Sequence, residues 1–123
     1  VTNGAIPTAA AWYDTIRLGA GNLLYANWSC LTDNAFTSLS PLIRCDGVEV
    51  FPIINTMSWI YGQVIDQAHS PIGFTKYNAN THRYALACWI PYPFRRSLEL
   101  GFFNTDAVNP HQGTICYSWK NIG

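Results

Sequence analysis

Short runs in which apolar and polar residues take turns, each closed by a turn residue, limit this chain to strands more than any other feature does. "SLELGFFN" (97–104) sets Leu98, Leu100 and Phe102 on one side and Glu99 on the other. Successive side chains of a strand leave opposite faces, so a period of two is what a half-buried strand requires. "GTICYSWK" (113–120) repeats the pattern with Ile115, Tyr117 and Trp119. "RYALACWI" (83–90) puts Tyr84, Leu86, Cys88 and Ile90 on one face and Ala85, Ala87 and Trp89 on the other, as if both faces were covered. "NLLYANWS", "MSWIYGQVI" and the short "IGFTKY", suited to a sheet edge, add further runs. Asp46-Gly47 stands between Leu42-Ile43 and Val48-Glu49-Val50, a strong short hairpin signal. A three-to-four residue apolar period is confined to "TAAAWYDTI", which predicts one or two helical turns.

About eight such runs with turns between them predict an all-β fold, a single jelly roll or β-sandwich of antiparallel strands. At 123 residues the length fits one domain over residues 1–123, with no linker-like stretch to mark a second. The expected core is Leu86, Ile90, Leu98, Leu100 and Phe102, with Val48 and Val50 facing inward beside an outward Glu49. Between two of these strands lies Pro91-Tyr92-Pro93-Phe94-Arg95-Arg96. Proline has no amide to give a ladder, so the expectation there is a corner: Phe94 plugs the end of the sandwich, and Arg95 and Arg96 reach solvent or a carboxylate.

Charge is scarce, with 11% charged residues against 15% aromatic ones and a net charge of zero. A nucleic-acid surface needs a basic excess to meet phosphate, and none is present. No apolar run reaches the length of a membrane-spanning helix. The first residues lack the basic start and apolar stretch of a secretion signal. Low charge with abundant Tyr and Trp is the composition of surfaces buried against neighbours, or else of a large core under a polar coat.

Cys30, Cys45, Cys88 and Cys116 show no close pair with zinc-site spacing. Their even count and wide spacing fit one or two disulfides in an oxidising compartment, or buried free thiols. Three pairings are open, and Cys30 with Cys45 is favoured because the two flank a loop joining strand ends. Asn27-Trp28-Ser29 is a sequon for N-glycosylation at Asn27.

Chemistry is harder to find. The carboxylates are Asp14, Asp33, Asp46, Glu49, Asp66, Glu99 and Asp106, and no pair stands out as the acid and base of a glycosidase. Asp46 reads as a turn residue, Asp106 as a loop residue, and Asp66 with His69 as a solvated pair. His69, His82 and His111 fall in three separate loops, so neither a metal nor a cofactor is expected. No serine or cysteine sits in a nucleophile-elbow context. Trp89 and Trp119, in alternating runs, are expected in the core or at a subunit contact. Trp12, Tyr13, Tyr92, Arg95 and Arg96 are the candidates for contacts to a glycan or a neighbouring subunit.

The corner segment carries a family likeness as well. "CWIPYPFRRSLELGFFN" resembles the Pro-x-Pro-Phe-basic-basic-Ser segment and following strand of the domain-of-unknown-function family that includes difructose-anhydride glycoside hydrolases. Upstream, "IRCDGVEVFPIINTMSWIYGQ" is similar to that family's Asp-Gly-x-Glu segment, in the same order and at a matching separation. The likeness spans Leu42 to Tyr117 and implies a capsid-like jelly roll that associates with itself. Those enzymes carry two jelly rolls in a longer chain, and their catalytic glutamates match no position here, since Glu49 and Glu99 are the only glutamates.

These readings together predict a non-catalytic structural subunit. It would assemble with copies of itself into an extracellular or secreted fibre or shell, a virion shell included. The apolar N-terminal segment 1–13 is expected to serve as an arm reaching a neighbour. A secreted carbohydrate-binding module is the alternative, and a hydrolase fragment the third reading.

Overall fold

The computed structural model describes residues 2–51, 56–59, 72–76, 84–89 and 91–121, with the backbone alone for 2–5, 51 and 72–76. Ten strands account for most of them: β1 (Thr2–Ile6), β2 (Ala11–Leu18), β3 (Gly21–Cys30), β4 (Leu39–Cys45), β5 (Val48–Phe51), β6 (Ile72–Lys76), β7 (Tyr84–Cys88), β8 (Tyr92–Phe94), β9 (Ser97–Asn104) and β10 (His111–Lys120). One short helix, α1 (Asp33–Ser38), joins β3 to β4, with the Thr32 hydroxyl accepting from the Ala35 amide at its start.

The strands form two antiparallel sheets, β1-β10-β3-β7-β6 with β8 also on β3, and β2-β9-β4-β5. Their pairing is nested. β1 pairs with β10, β2 with β9, β3 with β7 and β8, and β4 with β5. A long hairpin folded over on itself in this way is a jelly roll, and the chain is an all-β sandwich of that type. β6 lies at a sheet edge.

Strands with one covered face behave as their alternation predicts. Leu86, Leu98, Leu100, Phe102 and Ile115 are fully buried in the shared core with Trp28, Leu23, Leu39 and Ile43, and Tyr117 and Trp119 pack against it. All five residues of β7 are buried, as expected for a strand covered on both faces. Ile90 lies outside the described residues. Buried polar ties join the two sheets: the Trp28 indole in β3 donates to the Gly101 carbonyl in β9 at 3.0 Å, and the Asn104 amide in β9 donates to the Ile6 carbonyl in β1 at 3.3 Å. A Cβ at Gly101 would come within 1.9 Å of the Trp12 carbonyl, so this close approach of β2 to β9 demands glycine.

Asp46 and Gly47 have φ of 54° and 82°, the two left-handed residues of a type I′ hairpin turn between β4 and β5. The proline corner resolves as follows. β7 leaves β3 at Cys88, and β8 returns to the same side of β3, with Tyr92 opposite Leu23 and Phe94 opposite Gly21. Phe94 then fills the sandwich end so closely that a Cβ on Gly21 would meet its ring at 2.6 Å. Arg95 and Arg96 make the crossing to the second sheet.

Several expectations are corrected. "TAAAWYDTI" is not helical: Ala11–Leu18 is β2, paired along β9. Met57–Trp59 is a helical turn, not a strand, with the Trp59 amide donating to the Thr56 hydroxyl at 3.3 Å, and 60–65 lie outside the described residues. Val48 and Val50 are not core. They are 63% and 39% exposed, because β5 is an edge strand whose inner side meets no covering strand among the described residues. The arm expected over 1–13 is not among these corrections: residues 2–6 form β1 on β10, and Trp12 and Tyr13 belong to β2.

All four cysteines are free thiols. Cys30 and Cys45 cannot meet, because β4 carries the chain about 20 Å from one end of the sandwich to the other. Cys88 and Cys116 flank β3 beside Ala26 and Asn27, which point to opposite faces, so they diverge too.

Candidate functional surfaces

The four-stranded sheet gathers its outward polar residues into one cluster. Arg44 in β4 stands between Glu99 in β9 and Glu49 in β5, 3.8 Å from each carboxylate. The Tyr13 ring from β2 lies under the same guanidinium, 3.8 Å from its carbon, and its hydroxyl donates to Glu49. Burial, and the carboxylate it donates to, push the Tyr13 phenol up to about 12. The two glutamates, expected to point outward, do so, but Arg44 and Tyr13 already hold them. This strap crosses the whole sheet, from edge β2 to edge β5.

The outer face of the six-stranded sheet has a different character. In the paired register, Ser118, Cys116 and Thr114 of β10 stand beside Tyr25, Asn27 and Ser29 of β3, with Ala87 and Ala85 of β7 beyond. No charged side chain occurs in these rows, and charge first appears one row further, at Lys120 beside Asn22. Trp89, just past β7, is 53% exposed and sits against Tyr25 with ring centroids 5.5 Å apart at 47°. The Asn27 amide donates to the Tyr25 hydroxyl at 2.9 Å, which holds the ring in place. Asn27 of the sequon is therefore a half-buried residue of a central strand, already hydrogen-bonded.

The corner is held by Asp46. Its carboxylate accepts the backbone amides of Arg95 at 3.1 Å, Arg96 at 2.6 Å and Ser97 at 3.0 Å, and these bonds hold its carboxyl below the usual range. Three successive amides closing on one carboxylate form an anion nest that the hairpin turn fills itself. The Arg95 and Arg96 side chains are exposed.

At the other end, Asp106 accepts from the Val108 amide at 2.8 Å and the Asn109 amide at 3.1 Å, and it meets His111 at 3.0 Å. The Val108 amide and His111, with Asn109, hold its carboxyl down at about 2. Asp33 accepts from the Tyr84 hydroxyl, whose ring stacks on Phe36 at 4.1 Å.

Of the residues proposed for glycan or subunit contact, Trp12 and Tyr92 pack against the core, Tyr13 is engaged in the strap, and Arg95 and Arg96 alone stand in solvent. Burial pushes the Tyr92 phenol up to about 12. Trp89, expected in the core or at a contact, is exposed, as is Trp59, and sequence reasoning left both off the contact set; for Trp89, its place just after a covered strand and before a proline was the available signal. Asp66, His69 and His82 lie outside the described residues, and no metal-holding group of His, Cys, Asp or Glu occurs among the described ones. No described helix is long and apolar enough to cross a membrane.

No protein-family model matches the chain, and no curated protein matches it.

Proposed function

We propose that this chain is a structural subunit that assembles with copies of itself through the edges and faces of its jelly roll. The observation that carries the reading is β5. It is the edge of the four-stranded sheet, and it leaves Val48 and Val50 in solvent beside a row of backbone groups that no described strand pairs. The charge of Glu49 and a register shift between Ile43 and Arg44 blunt this edge, but its two valines still leave an apolar template for another chain. Low overall charge supports the same reading, since it leaves little repulsion between copies. An extracellular or virion fibre or shell is the setting in which such a subunit would serve. The free thiols mean that the fold itself asks for no disulfide there.

Sedimentation of the purified chain over a wide concentration range tests the reading. Particles several times the 13.8 kDa chain mass are expected. A single species at that mass throughout would refute it.

A further inference from the structure

The net charge of zero hides an uneven distribution. The chain has only 7 lysines and arginines, and Arg17, Arg95, Arg96 and Lys120 meet at the corner end of the sandwich. The Gly19 amide, just past β2, donates to the Arg96 carbonyl at 2.7 Å, and Leu18 pairs with Ser97, which sets Arg17 beside the corner. Lys120, at the end of β10, stands opposite Asn22, and Asn22 stands opposite Pro93, so the corner lies two strands from the lysine.

These cations are open. Arg95, Arg96 and Lys120 are exposed, and none of the four makes an ion pair among the described residues, where Arg44 and His111 are the only paired bases. Arg17 is fixed in place: its guanidinium lies 4.9 Å over the Trp119 ring and donates to the Asn121 side chain at 3.3 Å. Its buried Nε has no partner, so most of the fork's donors are unused. Among the described carboxylates only Asp46 shares this end, and the amides of Arg95, Arg96 and Ser97 already occupy it. Glu49 and Glu99, further along the sheet, are held by Arg44.

We infer that this end of the sandwich binds a compact polyanion, one that presents two or more phosphate or sulfate groups close together. Like charges gathered without counter-charges repel, and a multiply charged anion relieves that repulsion where a single carboxylate would not. Guanidinium forks match tetrahedral oxyanions with paired hydrogen bonds, and three of the four cations are arginines. The three bonds to Asp46 fix the backbone from Arg95 to Ser97, so both exposed guanidiniums start from a rigid base and lose less freedom on closing over a ligand. The patch is also bounded. Beyond Lys120 the six-stranded sheet turns neutral, and beyond the corner the other sheet carries the carboxylates of the strap, so an extended nucleic acid would run off it. The charged groups come on a phosphate chain or on a sulfated sugar, and the two sources are separable by experiment.

Isothermal titration calorimetry of the full chain with tripolyphosphate, and in a second arm with a sulfated tetrasaccharide, tests the inference at low and at physiological salt. Saturable binding of one or both is expected, weakening as salt rises. The arm that binds more tightly names the source. Arg95→Gln with Arg96→Gln removes both forks but keeps the backbone amides that Asp46 needs, and should weaken binding about tenfold or more, as loss of charge-assisted hydrogen bonds does. Lys120→Gln, at a separate exposed site, should weaken it less but in the same direction. Arg44→Met removes a cation outside the patch and should leave binding unchanged, with circular dichroism confirming the fold of each variant. No binding in either arm at low salt, or equal losses in Arg44→Met and the corner variants, would overturn the site.

Discussion

The two outer faces of this sandwich are built from strands of similar length and opposite chemistry. On the four-stranded sheet, Arg44, Glu49, Glu99 and Tyr13 neutralise one another in a strap that runs from edge to edge. On the six-stranded sheet the middle rows hold no charge, and the largest exposed group is the Trp89 indole. A face whose polar groups are mutually satisfied gains little from a partner and remains well hydrated. A neutral face with an exposed indole loses little on leaving water. The difference teaches that a chain with so few charges can spend them together on one face and leave the middle rows of the other without any.

The comparison breaks first if the core that holds the two sheets together is opened. Trp28→Ala empties a fully buried site and removes the donor to Gly101, and should cost about 3–5 kcal/mol in urea unfolding. Leu100→Ala, in the strand beneath the strap, should cost about 2–5 kcal/mol. A loss below about 0.5 kcal/mol at either position would mean that the register is wrong. Gly101→Ala is more selective. Its Cβ meets the Trp12 backbone, so β2 must move and the strap with it, at about 1–3 kcal/mol. The signature is a Tyr13 phenol that titrates nearer its ordinary value than about 12.

Smaller effects sharpen the contrast. Arg44→Met should cost only about 0.2–1 kcal/mol, because both of its ion pairs are partly in water. If it costs several times more, the strap is a structural keystone and not a solvated cover. Acid acts through the loop and corner carboxylates. Asp106 has a folded pKa of about 2, below its unfolded value, and Asp46 is lowered in the same direction. A depressed folded pKa contributes stability that is fully present above the unfolded value of about 4 and is lost as pH falls toward the folded one. The urea midpoint should therefore hold steady near neutrality and decline from about pH 4 to about pH 2, less steeply in Asp106→Asn. An identical decline in that variant would assign the acid sensitivity to other groups.

Much of the sandwich was legible in the residues. β9 and β10 declare themselves because one face of each is buried and the other is not, which is the condition under which alternation carries information. The Asp46-Gly47 hairpin was equally plain, since few residue pairs accept two left-handed conformations in a row. β2 was misread because three successive alanines favour helix and because a register shift between Thr15 and Arg17 breaks the period of two. Val48 and Val50 show a different limit: alternation tells which way a side chain points but not whether anything lies opposite. The strap was invisible for a simpler reason. It draws one residue from each of β2, β4, β5 and β9, and only the nested pairing of distant strands brings them together.

The most direct test of the account places the same charge at the open edge and beside the closed strap. Val48→Lys puts a cation on β5, and Thr15→Lys puts one on the same sheet beside Glu99; both positions are exposed. Sedimentation equilibrium of the two variants against the wild type, with circular dichroism to confirm the fold, reads the difference. The account predicts that Val48→Lys dissociates the assembly while Thr15→Lys leaves it intact. Loss of association in Thr15→Lys, with Val48→Lys assembling as the wild type does, would contradict it.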